Sequence, residues 1–194
     1  MNVSLSHPYV KPNSVRYLLP GLWHFAAALS FAASFGVFQR DDIAFWLEQP
    51  VFTVALILCS SALFFVPDRW AKKGILKFLH YPLPDWDVLF LGPASHRNWF
   101  THSPFLPILC LGALWKWPFV ANTNGVLAGA MGVCIGVGSH LFWDCVGSER
   151  HKIIVVPHWI HLREVASRIY LLLGAFICLA VAGAIAAAFA AKPS

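Results

Sequence analysis

The chain has 194 residues and a formal net charge of +5; 58% of its residues are hydrophobic and only 12% are charged. Soluble domains carry about 25% charged residues, so this composition excludes an ordinary soluble domain and predicts an integral membrane protein. Lys and Arg lie beside apolar runs and form no basic helix or stripe, which argues against nucleic acid as a partner.

Five apolar runs predict transmembrane helices, because each is long enough, or nearly so, to cross about 30 Å of hydrocarbon at about 20 residues per crossing. In chain order they are residues 18–38, 45–66, 104–120, 126–145 and 169–191. Glu48 and Pro50 interrupt the second run, which leaves a start at Val51 as an alternative. The prediction is an all-α integral membrane protein, a single polytopic domain over residues 1–194 with about five transmembrane helices.

The basic residues predict which helix ends face the cytoplasm. Segments 1–17, 67–103 and 146–168 hold 11 of the 14 Lys and Arg residues. Because cytoplasmic loops carry an excess of Lys and Arg, we expect these segments and the amino terminus in the cytoplasm.

Three short polar clusters lie in or beside these cytoplasmic segments, where His and Asp indicate a binding site because lipid offers them no favourable contacts. They are Pro84-Asp85-Trp86-Asp87, His96-Arg97-Asn98-Trp99-Phe100-Thr101-His102-Ser103 and Ser139-His140-Leu141-Phe142-Trp143-Asp144. The region that bears the site is therefore residues 80–160.

A helical hairpin is predicted to bring the last two clusters together. Residues 122–125, Asn-Thr-Asn-Gly, predict a tight turn between the third and fourth helices. His102 precedes this turn by about as far as the segment from His140 to Asp144 follows it, so both reach the same depth, at the cytoplasmic face. His140 and Asp144 are four residues apart and share one helix face. Small residues, at glycines 125, 129, 132 and 136, favour close helix packing and bring the two histidines within reach of one ion.

The loop with the first cluster is predicted to present two carboxylates. Pro82 and Pro84 favour an extended chain, in which Asp85 and Asp87 point the same way. Two carboxylates that face one direction repel each other unless a cation or a proton lies between them.

Ser103 and Pro104 predict the start of the third helix, with Ser103 as its cap and Pro104 in its first turn. The positive end of that helix disfavours protonation of His102. We therefore expect a neutral His102 imidazole that is able to bind a metal ion.

Taken in order, the three motifs resemble those of the YdjM-type bacterial inner-membrane proteins, which are described as predicted metal-dependent hydrolases. The resemblance covers roughly residues 80–160, and the segment between Arg97 and Thr101 is one residue longer than is common in that family. It implies a multi-pass protein of the bacterial inner membrane and a metal site. The metal-binding residues that it implies are Asp85, Asp87, His96, His102, His140 and Asp144.

Other hydrolase motifs do not fit the sequence. The His140 to Asp144 spacing also occurs in membrane lipid phosphatases of the PAP2 type, but Val133-Cys134 stands where those enzymes need Ser-Arg. The chain has no His-Glu-x-x-His helix, no glycine-rich phosphate loop and no serine nucleophile elbow.

The sequence thus favours a membrane-embedded metal-dependent hydrolase of an ester or phosphoester in a lipid or lipid-linked substrate. Mixed His and carboxylate ligands favour Zn²⁺, with Mn²⁺ or Fe as alternatives. Asp85 or Asp87 is the candidate general base, and Arg97 is the candidate for holding an anionic substrate group. The alternatives are a metal-binding or metal-transporting membrane protein without catalysis and a scaffold with a structural metal.

Overall fold

The computed structural model describes residues 25–30, 48–60, 78, 81–92, 96–121, 123–147, 152–156 and 159–190. This part of the chain is mostly helical. Its helices are α1 (Pro50–Ser60), α2 (Trp86–Leu91), α3 (Phe105–Lys116), α4 (Pro118–Ala121), α5 (Asn124–Gly147) and α6 (Glu164–Ala190), and residues 25–30 are also helical. A 3₁₀ turn, Leu83–Asp85, precedes α2.

Two of the described helices are long and apolar enough to cross a membrane, as judged by length and composition. They are Asn124–Val146 within α5 and Glu164–Ala188 within α6, which match the fourth and fifth predicted runs. Helices α1 and α3 are apolar but shorter. Most of the first predicted run, residues 18–38, and both ends of the second lie outside the described residues, so the count of five crossings stays a prediction.

Helices α3 and α5 form the predicted hairpin, with the short α4 between them. Backbone amides of Val126 and Leu127 donate to the Thr123 carbonyl, at 3.0 and 3.1 Å, where α5 begins. The start of α3 and the end of α5 consequently lie at the same end of the hairpin.

Glycines of α5 allow α1 to approach its backbone. A Cβ atom at Gly132 would lie 2.6 Å from the carbonyl oxygen of Phe52, and one at Gly136 would lie 2.6 Å from Cβ of Cys59. These separations are too short for any side chain, so glycine is required at both positions. The close packing predicted for this glycine series is confirmed at Gly132 and Gly136, and the neighbouring helix is α1.

The apolar core lies where α1, α5 and α6 meet. Its largest buried side chains include Phe52, Leu56, Met131, Ile135, Leu171 and Ile185.

A small sheet lies between α5 and α6. Strands β1 (Ile154–Val156) and β2 (Ile160–His161) are antiparallel, and Ile154 pairs with His161. The prediction of an all-α fold is wrong in this segment. Its β-branched run, residues 153–156, favours a strand and is too short to show helical periodicity.

Candidate metal centre

Six His and Asp side chains come together at the end of the hairpin where α3 starts and α5 finishes. They are Asp85, Asp87, His96, His102, His140 and Asp144. The first pair comes from the 3₁₀ turn and α2, the second from the loop before α3, and the third from the last two turns of α5. The structure thus gathers every residue of the predicted ligand set. It also confirms that His102 and Asp144 reach the same depth, since Nε2 of His102 lies 3.4 Å from Oδ2 of Asp144.

Four of these side chains direct a nitrogen or oxygen atom toward one small volume. Nε2 of His102 lies 3.3 Å from Oδ1 of Asp85 and 3.4 Å from Oδ2 of Asp144. Nε2 of His140 lies 3.5 Å from the same Asp85 atom and 3.7 Å from the same Asp144 atom. Zinc ligands at about 2.0–2.2 Å from a tetrahedral ion are roughly 3.3–3.6 Å apart. The four separations are close to those around a tetrahedral ion.

His96 and Asp87 adjoin this group on one side. Nδ1 of His96 lies 3.6 Å from Oδ1 of Asp85 and 3.5 Å from Oδ1 of Asp87. The other oxygen of Asp87, Oδ2, lies 3.5 Å from Nδ1 of His102. Asp85 and Asp87 therefore face His102 at opposite ring nitrogens, and His96 contacts both carboxylates.

The site is enclosed by protein. The side chains of Asp85, Asp87, His102 and His140 are at most 1% exposed, and His96, at 19%, is the most exposed of the six. Both carboxylate oxygens of Asp85, Oδ1 of Asp87 and Nε2 of His102 are buried without a hydrogen-bond partner. Buried polar atoms of this kind are costly unless something binds them, and a cation among them would remove that cost.

The loop that carries His96 and His102 is held from two directions. Oδ2 of Asp87 accepts hydrogen bonds from the Asn98 amide at 2.9 Å and from the Thr101 hydroxyl at 3.0 Å. On the other side, the Ile154 amide donates to the Arg97 carbonyl at 3.0 Å, and the Ile154 carbonyl accepts from the Trp99 amide at 2.9 Å. Strand β1 thus fixes the backbone between the two histidines.

Tyr170 of α6 adds a further contact to this loop. Its hydroxyl donates to the carbonyl of Trp99 at 2.6 Å.

Ser103, at the end of the loop, accepts a hydrogen bond from the Phe105 amide at 3.1 Å. The helix begins at Phe105 and its N-cap is Pro104. The prediction of Ser103 as the cap and Pro104 in the first turn is therefore wrong by one residue, although Ser103 accepts the first amide of the helix.

Arg97 is a buried cation at the edge of the carboxylates. Its backbone φ of +69° is in the left-handed region, which costs a residue other than glycine about 1–2 kcal/mol. The residue is 8% exposed, and its Nη2 lies 3.4 Å from Oδ1 of Asp144. The guanidinium is therefore placed beside the six side chains, on the side of Asp144.

The charges of the site require protons or a cation. Three ionised carboxylates and one guanidinium leave two negative charges when the histidines are neutral. Burial lowers the pKa of His102, but the carboxylates of Asp85, Asp87 and Asp144 outweigh burial and raise this pKa to about 10. Without a bound metal, the prediction of a neutral His102 is therefore wrong. The carboxylates favour the protonated imidazole more strongly than the positive end of α3 disfavours it. A metal ion must displace that proton.

The same contacts act on the two aspartates of the first cluster. Burial raises the pKa of Asp85 and Asp87, but the neighbouring imidazoles hold the pKa of each carboxyl well below its usual range. Both carboxylates are consequently ionised at neutral pH, as metal binding requires.

The backbone path to these carboxylates differs from the prediction. Pro82 is extended, with φ −60° and ψ 152°, but Leu83–Asp85 is a 3₁₀ turn and Asp87 lies in α2. An extended chain through both aspartates is therefore wrong, because the fixed φ of Pro84 also suits the start of a helix. The two side chains converge on His102 through the turn.

Several residues that hold the site have no clear signal in the sequence. Thr101 stands next to His102 in the second motif, so its sequence position is compatible with a contact to that histidine. Ile154 and Tyr170 lie far along the chain and act through backbone contacts or a single hydroxyl. No motif marks them.

Compared with known proteins, the chain matches no family model, no curated protein and no solved structure. The resemblance to the YdjM-type family therefore stays a prediction based on the three motifs.

Proposed function

We propose that this chain is a membrane-embedded metal-dependent hydrolase. One observation carries the proposal. Nε2 of His102 and Nε2 of His140 each lie 3.3–3.7 Å from one oxygen of Asp85 and from one oxygen of Asp144. These are metal-ligand atom types, they are buried, and their spacing fits an ion held between them.

The donor set favours a transition metal. Imidazole nitrogen suits Zn²⁺, Mn²⁺ or Fe, whereas Mg²⁺ and Ca²⁺ prefer sites made only of oxygen. Zn²⁺ is the first choice because the four separations between the two histidines and the two aspartates are close to those around a tetrahedral ion. An ion that kept one position open for water would lower the pKa of that water from about 15.7 to about 7, which would supply a nucleophile for hydrolysis at neutral pH.

Two carboxylates of the ligand set and Arg97 beside it have the chemistry for the remaining roles. Asp85 and Asp87 are ionised carboxylates, and either one can accept a proton from an attacking water. Arg97 cannot ligate a cation because its guanidinium has donors only, but it can hold an anionic group next to one. An ester with a phosphate or carboxylate group is the substrate class that this pairing suits.

A membrane location is supported by the two helices of spanning length and by aromatic residues near the site. Trp99 and Phe100 lie in the same loop as His96 and His102, and both side chains are exposed. Aromatic side chains favour the interface between membrane and water. We therefore propose a lipid or a lipid-linked molecule as the substrate, with the site at the cytoplasmic face of a bacterial inner membrane.

Metal analysis and a substrate screen on the same variants test the proposal. The full chain is purified in detergent, and its metal content is measured for wild type, His102→Ala and Asp144→Ala. Both variants should lose metal, whereas His161→Ala, which removes an exposed histidine of β2, should keep it. Wild type should hydrolyse a phosphoester or acyl ester, and Arg97→Ala should lose turnover but keep its metal. Full metal content in both ligand variants, or no metal in wild type, would refute the proposed site.

One observation favours the second candidate, a metal-binding or metal-transporting protein without catalysis. Side chains of His102 and His140 are at most 1% exposed, which suits an ion kept from water more than one open to substrate. A protein of this kind would hold metal, would lose it in His102→Ala, and would hydrolyse no ester in the screen.

A further inference from the structure

We propose that the centre holds two divalent ions, with Asp85 between them. This inference rests on the proposed metal site and goes further, because it assigns the six donors to two ions and gives each ion a role.

The donors fall into two overlapping groups. One group is Asp85, His96 and His102, and the other is His102, His140 and Asp144; within each group the ligand atoms all lie within 4.8 Å of one another. Six side chains exceed the four ligands of a tetrahedral zinc ion. A second ion accounts for the surplus.

His102 belongs to both groups, and Asp85 of the first group also contacts His140 of the second. Its Oδ1 atom is 3.3 Å and 3.5 Å from Nε2 of His102 and His140, and 3.6 Å from Nδ1 of His96. Both oxygens of this carboxylate are buried without a hydrogen-bond donor. A carboxylate with two such oxygens is suited to bridge two cations, which in two-metal hydrolases lie about 3.5–4 Å apart.

The orientation of His102 assigns it to one ion. Its Nδ1 atom lies 3.5 Å from Oδ2 of Asp87 and 3.2 Å from the Thr101 hydroxyl. A proton on Nδ1 that points to Asp87 leaves the lone pair on Nε2 for the metal, the usual arrangement of a carboxylate behind a metal-bound histidine. His102 therefore joins His140, Asp144 and Asp85 around the first ion.

Asp87 uses its two oxygens differently. Oδ2 accepts the hydrogen bonds of Asn98 and Thr101. Oδ1 accepts none in its buried position and faces Nδ1 of His96 at 3.5 Å. The second ion therefore has His96, Asp87 through Oδ1, and Asp85 as its ligands.

The two ions differ in the number of protein ligands. The first has four, which completes a tetrahedral site, and the second has three, which leaves a position for water or substrate. Its ligand His96 is the most exposed of the six, at 19%, so solvent or substrate would reach the second ion more readily than the first. Two divalent ions change the net charge of this centre from two negative to two positive charges. The centre would then attract an anionic substrate, which favours a phosphoester over a neutral acyl ester.

The test counts metal ions per chain in the full-length protein, stripped with chelator and reloaded with Mn²⁺. We expect two ions in wild type and in the control variant His161→Ala. His96→Ala should hold one ion, because it removes a ligand of the second ion and leaves the first site complete. His140→Ala should likewise bind one ion fewer than wild type.

Magnetic resonance of the bound Mn²⁺ gives a second readout that does not depend on activity. Two adjacent Mn²⁺ ions are magnetically coupled, and His96→Ala should give the spectrum of an isolated ion. His96→Ala is the preferred variant because this side chain is partly exposed, so its removal should disturb folding less than removal of a fully buried ligand. One uncoupled ion in wild type, with the same content in His96→Ala, would overturn the two-ion inference and leave the proposed metal site intact. No bound metal in wild type would overturn both.

Discussion

Metal binding at this centre should depend strongly on pH, because a cation and a proton compete for His102. The carboxylates around this side chain raise its pKa to about 10, so the imidazole carries a proton at neutral pH. A metal ion that binds Nε2 requires the imidazole to release one proton. The apparent affinity for metal should therefore rise with pH.

The size of the effect follows from the pKa. A pKa of about 10 lies about three units above pH 7, and each unit is worth about 1.36 kcal/mol. Release of the proton therefore weakens the free energy of metal binding by roughly 4 kcal/mol at pH 7. This corresponds to about a thousandfold in apparent affinity. For each proton released, the dissociation constant should fall about tenfold per pH unit below the pKa.

Calorimetric titration of Zn²⁺ into the chelator-treated protein measures both quantities. The dissociation constant is followed between about pH 6.5 and 8.5, and two buffers of different ionisation enthalpy report the protons released. The variant His161→Ala should show the same pH dependence as wild type. A constant affinity over this interval, together with heats that do not depend on the buffer, would refute the competition at His102.

Four further outcomes are expected. In chelated protein, the raised pKa of His102 adds stability that is complete below pH 6.5 and is lost as pH rises toward about 10, so the melting temperature should fall over this interval. Asp87→Asn should weaken metal binding at least about 10–100-fold, measured by chelator competition, because Asp87 orients His102; an unchanged affinity would contradict this role. Gly136→Ala should destabilise the fold by about 1–3 kcal/mol in a denaturation series, because its Cβ would meet Cys59 at 2.6 Å, whereas Gly183→Ala, with open space, should be nearly neutral. A cysteine at Lys152 should react only with reagents that enter the cytoplasm, and labelling from outside would reverse the proposed orientation.

The sequence was sufficient to predict the elements that depend on composition and spacing. Long apolar runs predicted α5 and α6, since about 20 apolar residues are needed to cross hydrocarbon. The turn before α5 and the equal distances from it placed His102 and Asp144 at one depth, and the glycines of α5 predicted close helix packing. These properties depend on local sequence, so they could be inferred without coordinates.

The errors arose where distant contacts outweigh local preference. The proline-containing turn before Asp85 is compatible with either an extended or a helical path. The structure has the helical one, in which Asp85 contacts His140 of α5. The left-handed backbone of Arg97 is uncommon for a residue with a side chain. The Arg97 carbonyl and the Trp99 amide are both hydrogen-bonded to Ile154, more than fifty residues along the chain. The protonation of His102 depends on three carboxylates that only the fold brings together.

The contacts of Ile154 and Tyr170 have a consequence for the order of assembly. Every proposed metal ligand has been synthesised once the chain reaches Asp144. The loop that carries His96 and His102 is then held by Asp87, but its contacts with Ile154 and Tyr170 depend on residues that follow. We therefore expect the proposed site to reach its full affinity for metal only after β1 has paired with the loop and Tyr170 of α6 has reached Trp99. A nascent chain that ends after α5 contains the full ligand set and lacks these backbone contacts that position two of its histidines.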